Sequence, residues 1–355
     1  MKILFLPKYT ALGASSRMRT YQYLPYYRAA GIDCTVKPLF DDAYLNNLYA
    51  GKRNILNVLS SYCKRIGVCF TFYRYDKIYV EKEFFPYLPA FTVWLMVIFK
   101  KKYVVDYDDA IFHNYDQSSN FFVKMFLGQK IDQVMKHAEV VIAGNSYLAK
   151  RAMEAGAKKV VVIPTVIDLE RYSIQEKSKE QFIIGWIGTK TTFEKHLLPQ
   201  KKWIKALQKG IPDIQFHIVG ITEDMDLGKN VKYIPWSEAS EVSEIQKFDV
   251  GIMPLQDSLW ENGKCSYKII QYFACGIPAI ASPVGMNTEV IIPQHNGFLA
   301  RTENDWFAAI LELKSNKERS KSFGKNGRKM VEEHFCMQVT AKKWLDVLLN
   351  ANSNH

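Results

Sequence analysis

The sequence predicts an α/β protein made of two doubly wound domains, each a parallel sheet covered by helices. Short apolar runs of strand length alternate with amphipathic segments of helix length, as parallel sheets require. The alternation stops at SIQEKSKEQ, residues 173–181, a polar and charged stretch without an apolar period, and then starts again. A chain of 355 residues is also longer than one ordinary core accommodates. The expected domains are 1–175 and 176–335, with a terminal segment 336–355 whose helix packs back across the boundary.

Taken in order, the first half offers six strands: KILFLP, CTVKPL, KIYVEK, YVVDY, EVVIAG and KVVVIP. Helical segments lie between them, among them 19–30 and 121–138. After the linker come FIIGWIG, QFHIVG, VKYIP, VGIMP and PAIAS, with helices around 195–209, 239–247, 266–275 and 303–314. HNGF at 295–298 has the composition of a tight Asn-Gly turn. An amphipathic helix over 337–349 closes the chain. In sheets of this kind ligands sit beyond the carboxyl ends of the strands, and pockets favour domain interfaces, so the crevice between the domains is the expected site.

Composition narrows the function. Hydrophobic residues make up 48% and aromatic residues 14%, which excludes a disordered chain. A formal net charge of +11 favours an anionic partner such as a nucleotide or phospholipid. Nucleic acid is not expected, because no recognition motif is present. The cysteines at 34, 63, 69, 265, 275 and 336 show neither paired close spacing nor histidines at zinc-site intervals. They are expected to be reduced thiols of a cytoplasmic protein. MKILFLPKYT is a first strand without a cleavage site. The greasy stretch 84–99 is shorter than the roughly 20 residues that span a bilayer. It is expected as a buried helix, with a helix on a membrane surface as the alternative, and Lys100, Lys101 and Lys102 follow it.

ENGKCSYKIIQYFACGIP, residues 261–278, is the most informative segment. A helix from Ser266 to Ala274 puts Tyr267, Ile270 and Ala274 on one apolar face, and Lys264, Lys268 and Gln271 on a polar stripe. Gly276 and Pro278 end it. Cations at a helix start cost about 0.3–1 kcal/mol against the macrodipole. An anion bound by backbone N–H groups, Ser266 and the two ammonium groups would reverse that sign.

Together FDVGIMPL, this segment and HNGFLA resemble the C-terminal half of the family-four glycosyltransferases, whose GT-B fold sets two Rossmann-like domains across a cleft. GWIGTKTT resembles the family's first strand and loop in that domain. ALGASSRMRTYQYLPYYRAAGI and DYDDAIF resemble a branch associated with bacterial surface polysaccharides. The chain departs from the usual pair of glutamates eight positions apart. The second position is Gln271 and the first Gly263, while Glu261 lies two residues early.

The resemblance implies a retaining, hexosyltransferase-type enzyme. It would move sugar from a nucleotide diphosphate sugar to a hydroxyl of a glycan or lipid-linked saccharide, with no metal or other cofactor. Lys264 and Lys268 would neutralise the diphosphate, Gln271 would bond a ribose hydroxyl, and Glu261 is a candidate for the donor sugar. Gly188, Thr189 and Lys190 would approach a phosphate, and whether Lys190 or Lys195 points inward stays open. Trp236 falls where the nucleobase is expected. Gly13 and Ala14 fit a loop nearing the donor phosphate, with Arg17 as an anion contact. Asp106, Asp109 and His113 would face the cleft near the reacting sugar. Asp106 and Asp108 also spell a weak D-x-D metal motif. Two alternatives stay open: a nucleotide-sugar 2-epimerase of the same fold, and a non-catalytic protein that binds sugar nucleotide or glycan. The branch further implies attachment to the anionic inner face of a membrane.

Overall fold

The computed structural model describes residues 1–52, 54–98, 100–175 and 181–349. Of the expected linker, residues 176–180 lie outside the described residues. The chain forms two compact units. Unit 1 holds Met1–Thr165, Gly263–Cys265 and the stretch from Thr340. Unit 2 holds Val166–Asn262 and Ser266–Val339. The change of unit at Thr165/Val166 comes ahead of the expected 175/176 boundary.

Unit 1 has the six expected strands, β1 (Lys2–Leu6), β2 (Asp33–Val36), β3 (Lys77–Glu81), β4 (Tyr103–Tyr107), β5 (Val140–Ala143) and β6 (Val160–Val162). They form a parallel sheet in the order β2-β1-β3-β4-β5-β6. β3 and β4 are buried at every position, which is why their sequences run apolar rather than alternating. The expected helix 19–30 is broken into Ala14–Arg19, a turn, and Leu24–Ala29, because Pro25 has no N–H to donate to an earlier carbonyl. The segment 121–138 likewise divides, into Phe121–Leu127 and Lys130–His137.

The greasy stretch is only partly core. Phe84, Phe85, Val93 and Met96 are buried, while Trp94 on the helix Phe91–Ile98 is 71% exposed. Among the described residues no helix is long and apolar enough to cross a membrane. Two of the three lysines that follow are engaged by the fold. Lys101 Nζ donates to the carbonyls of Tyr75 (2.9 Å) and Tyr73 (3.4 Å), and Lys102 pairs with Glu139 at 3.1 Å. The terminal helix Met337–Leu349 contributes Trp344 to unit 1, buried beside Tyr23 with ring centroids 5.2 Å apart.

Unit 2 has β7 (Phe182–Ile187), β8 (Ile214–Val219), β9 (Val231–Ile234), β10 (Val250–Met253), β11 (Ala279–Ala281) and β12 (Gly297–Leu299), all parallel, in the order β12-β11-β10-β7-β8-β9. Trp186, Phe193, Ile204, Phe216 and Ile252 lie in its core.

Two elements differ from expectation. HNGF does turn at His295 and Asn296, but the turn leads into a parallel strand and joins no hairpin. The Asn296 amide closes the preceding loop by accepting from Ile292 N (2.9 Å) and donating to Val290 O (3.0 Å), and Gly297 begins β12. Lys317–His334 is a long helix that no apolar period announces. It packs through Gly324, where a Cβ would lie 2.0 Å from the Gly276 carbonyl oxygen, and Gly327, where one would lie 2.5 Å from the Phe273 ring.

Candidate functional site

Each sheet reverses its winding once, between β1 and β3 in unit 1 and between β7 and β10 in unit 2. The crevice beyond the carboxyl ends at such a reversal is where this architecture binds ligands.

In unit 2, β7 runs into Gly188 and Thr189, and β10 runs through the short helix Leu259–Asn262 towards Ser266 and the helix Tyr267–Ala274. These loops meet. Lys268 Nζ lies 5.5 Å from the centroid of the Trp186 ring, and a Cβ on Gly188 would fall 3.1 Å from Lys268 Cε and 2.6 Å from Trp186. Gly188 is bare so that the lysine can lie across the end of β7. No side chain caps the helix. Ser266 holds a left-handed backbone, φ 50°, which costs a residue with a Cβ about 1–3 kcal/mol. Its side chain is buried and donates to Asn287 Oδ1 at 2.7 Å. The hydroxyl expected to meet an anion is therefore turned inward, and the strained backbone is what shapes the helix start.

Glu261 has no exposed surface. Lys195 pairs with it, Ser258 Oγ donates to it, and His196 Nε2 stands 3.5 Å away. Burial opposes ionisation of Glu261, yet Lys195 and Ser258 hold its carboxyl below its ordinary value. Of the two lysines left open, Lys195 is the one directed at a candidate residue. Lys190 pairs at 2.9 Å with the exposed Glu223. Thr189 Oγ1 is spent accepting from Thr192 N at 3.4 Å.

A third group joins Gln271 to Trp236 through residues that the sequence did not single out. Glu241 accepts from Trp236 Nε1 (2.7 Å) and from Tyr172 Oη (3.0 Å), and Gln271 Nε2 donates to Tyr172 Oη at 3.3 Å. Gln271 and Tyr172 are buried, while the Trp236 ring is 41% exposed and presents a face on which a base can stack.

In unit 1 the carboxyl ends of β1, β3 and β4 enclose a charged cluster. Lys82, at φ 64°, puts Nζ 3.0 Å from Asp108 and 3.1 Å from Asp109. Ser15 donates to Asp108 and Ser16 to Glu81, the latter at 2.9 Å. Lys264 pairs with Asp109 at 3.3 Å, and that carboxylate raises the lysine's pKa. Burial opposes ionisation of Asp109, but Lys82 and Lys264 outweigh it and bring its carboxyl down to about 2. So strong an acid is a poor proton acceptor near neutral pH and a good fixed negative charge. Glu81 is the reverse case, because burial pushes its carboxyl up to about 7. Glu81 and Lys82 were missed. Their signal was a Glu-Lys-Glu run closing an apolar strand.

Three expected residues are placed differently. Asp106 does not face outward: it is buried, accepting from Arg19 Nε at 2.9 Å, from Arg19 Nη2 and from Tyr79 Oη at 2.8 Å. His113 has both ring nitrogens engaged, by Asp116 (2.7 Å) and Tyr147 (2.8 Å). Arg17 Nη1 donates to Ala11 O of its own loop at 3.1 Å. Gly13 meets its reason locally, since a Cβ there would lie 2.6 Å from Tyr9 Cβ. Ala14 opens the helix Ala14–Arg19. Among the described residues no group of three His, Cys, Asp or Glu side chains is placed to hold a metal.

Residues 174–330 match the family model described as glycosyl transferases group 1. The second half of the chain carries a group 1 glycosyltransferase domain. That domain contains Gly188, Lys268, Glu261, Gln271 and Trp236, while Tyr172 lies just ahead of the matched residues. No curated protein matches the sequence. The solved HepE of Anabaena, in complex with UDP, is similar in fold, with a TM-score of 0.73 at 17% identity, covering 99% of this chain and 100% of that one. Sucrose-phosphate synthase of Thermosynechococcus elongatus superposes with a TM-score of 0.68 at 15% identity, over 99% and 100% of the two chains. A putative UDP-N-acetylglucosamine 2-epimerase of Listeria monocytogenes reaches 0.62 at 9% identity, over 98% and 95%. The fold is GT-B: two parallel six-stranded sheets with helices, as in these solved structures.

Proposed function

We propose that this chain is a retaining, hexosyltransferase-type enzyme that moves a sugar from a nucleotide diphosphate sugar to a hydroxyl of a glycan or lipid-linked saccharide. The observation that carries this reading is the group 1 match over 174–330, which falls on the unit where Lys268 lies across Gly188 at the end of β7. An uncapped helix start with a lysine in its first turn suits a diphosphate. Trp236, steadied by Glu241, suits the base, and the Gln271–Tyr172 pair suits the ribose. HepE was solved with UDP-glucose, which makes uridine nucleotides the first to test.

By this reading the leaving diphosphate is stabilised by Lys268 and itself helps to deprotonate the acceptor on the same face of the sugar. Asp109, held ionised, is suited to be a fixed charge rather than the base. The donor is a substrate, and the chemistry requires neither metal nor other cofactor. The acceptor and attachment to an anionic membrane face belong to the same proposal.

A thermal-shift screen of nucleoside diphosphates and their sugars tests it, because a ligand of the native state raises apparent stability. A selective rise with one diphosphate and its sugar supports the reading, and no response to any of them contradicts it. The likeness to the Listeria protein keeps the epimerase alternative in view. Turnover of donor without any acceptor would favour the epimerase. Binding without hydrolysis or transfer across acceptors would favour a non-catalytic binding protein.

A further inference from the structure

Unit 1 leaves one lysine of its charged cluster without a carboxylate. β1 pairs with β3 so that Leu6 lies opposite Val80, and the chain then brings out Lys8 level with Lys82. Lys82 holds Asp108 and Asp109, Lys264 holds Asp109, and Lys130 holds Glu83 at 2.5 Å. Glu83 also accepts from Tyr115 Oη at 2.7 Å. Lys8 Nζ makes no hydrogen bond or ion pair among the described residues, and it stands 5.5 Å from the centroid of the Tyr9 ring. Both side chains are partly buried. Burial, with the charge of Lys82 beside it, pushes the Lys8 ammonium below its ordinary value, and Glu83, Glu81 and Asp109 do not make up the loss. A cation withdrawn from water is favourable only when an anion meets it, and the carboxylates around Lys8 are already engaged.

The neighbouring tyrosine adds a second donor. Tyr9 Oη makes no hydrogen bond among the described residues, while its ring packs 6.0 Å from Phe40 and 6.4 Å from Tyr44. The backbone beneath it is fixed, because Tyr9 N donates to Ser16 Oγ at 3.1 Å and Ser16 donates in turn to Glu81. An ammonium and a phenol O–H are thus held at the carboxyl end of β1 by contacts that use neither. Both suit an oxyanion: lysine is a compact charge with three N–H donors, and tyrosine offers one O–H. The acidic groups nearby oppose an anion little. Glu83, Asp108 and Asp109 are each paired with a lysine, and burial pushes the Glu81 carboxyl up to about 7.

We propose that Lys8 and Tyr9 bind an anionic oxygen group, a carboxylate or a phosphate, carried by the acceptor. The acceptor is then an acidic saccharide rather than a neutral one. This rests on the transferase reading and narrows its substrate class. The donor's diphosphate offers the same oxyanion chemistry, and the test separates the two sources. The residues suited to the diphosphate, Gly188 and Lys268, belong to unit 2, whereas Lys8 and Tyr9 belong to unit 1.

The test is saturation-transfer NMR of the full chain with glucuronate and with glucose, repeated in saturating UDP and in inorganic phosphate. The parent should bind glucuronate at least about tenfold more tightly than glucose. Inorganic phosphate should displace the glucuronate, and UDP should not. Lys8→Gln should abolish the preference for the acid while its affinity for UDP, from isothermal titration, stays that of the parent. Tyr9→Phe keeps the ring and should reduce the preference in part. Lys8→Gln should also melt no lower than the parent, since it removes a desolvated charge that no carboxylate pairs. Equal binding of glucuronate and glucose by the parent, or a preference that survives in Lys8→Gln, would overturn the proposal. So would displacement of glucuronate by UDP together with weaker UDP binding by Lys8→Gln, which would give Lys8 to the donor diphosphate. A parent that binds no nucleoside diphosphate would instead sink the transferase reading, and the glucuronate comparison would still decide whether Lys8 holds an anion.

Discussion

Replacing Lys268 by Ala should weaken binding of a nucleoside diphosphate far more than it weakens the fold. The lysine is held over Trp186 at 5.5 Å, and the Gly188 backbone leaves it room. A cation–π contact at a partly exposed site contributes about 0.5–1 kcal/mol, which bounds the stability lost with the ammonium group. A charge-assisted hydrogen bond to phosphate is worth about 1.5–3 kcal/mol. That corresponds to about one to two decades in Kd. Isothermal titration of UDP into the parent, Lys268→Ala and Lys268→Arg separates the two effects. Arg keeps the charge and should retain most of the affinity, while Ala should lose at least about tenfold. An unchanged Kd for Lys268→Ala, with melting intact, would refute the phosphate role.

Other outcomes follow from the same contacts. Asp106→Ala leaves Arg19 buried and uncompensated in unit 1, and should cost about 3–5 kcal/mol in urea unfolding; a loss below 1 kcal/mol would show that the pair is not structural. Gly324→Ala places a Cβ 2.0 Å from the Gly276 carbonyl oxygen and should lower stability by about 1–3 kcal/mol, measured as a drop in Tm. Glu81, raised from 4.5 to about 7 by burial, keeps its proton in the native state where the unfolded chain has lost it. Its stabilising contribution is therefore complete below about pH 4.5 and is lost as pH rises through 7, on the order of 3 kcal/mol in all. Glu81→Gln should be relatively more stable at pH 8 than at pH 5, and parallel stability profiles would contradict this. Transfer should survive EDTA, because Asp106 is committed to Arg19 and Asp108 to Lys82; loss of activity restored by Mn²⁺ would revive the D-x-D reading.

The fold was legible because a buried parallel strand is a continuous apolar run, and KIYVEK, YVVDY and FIIGWIG announce themselves that way. What escaped depends on contact rather than pattern. The helix Lys317–His334 forms against Gly276 and Phe273 through two glycines that propensity alone counts as helix breakers. β12 is three residues long, and its Asn-Gly start has the composition of a turn. Lys268 and Gly188, which the fold brings together, drew notice in the sequence because the charge is anomalous at a helix start and the glycine follows a strand. Asp106 misled, since a carboxylate ending a strand has the same sequence signature whether it meets a ligand or a buried arginine. Tyr172 and Glu241 left no local signal at all, and only the tertiary fold brings them to Gln271 and Trp236.

The fate of the donor's anomeric carbon tests retaining transfer most directly. The full chain, given the nucleotide sugar that stabilises it together with candidate glycan and lipid-linked acceptors, can be followed by proton NMR of the anomeric signals. A retaining transferase should give a new glycoside with the donor's own anomeric configuration, formed in step with release of the nucleoside diphosphate. An inverted glycoside would contradict retention, and a 2-epimerised sugar formed without acceptor would contradict transfer itself.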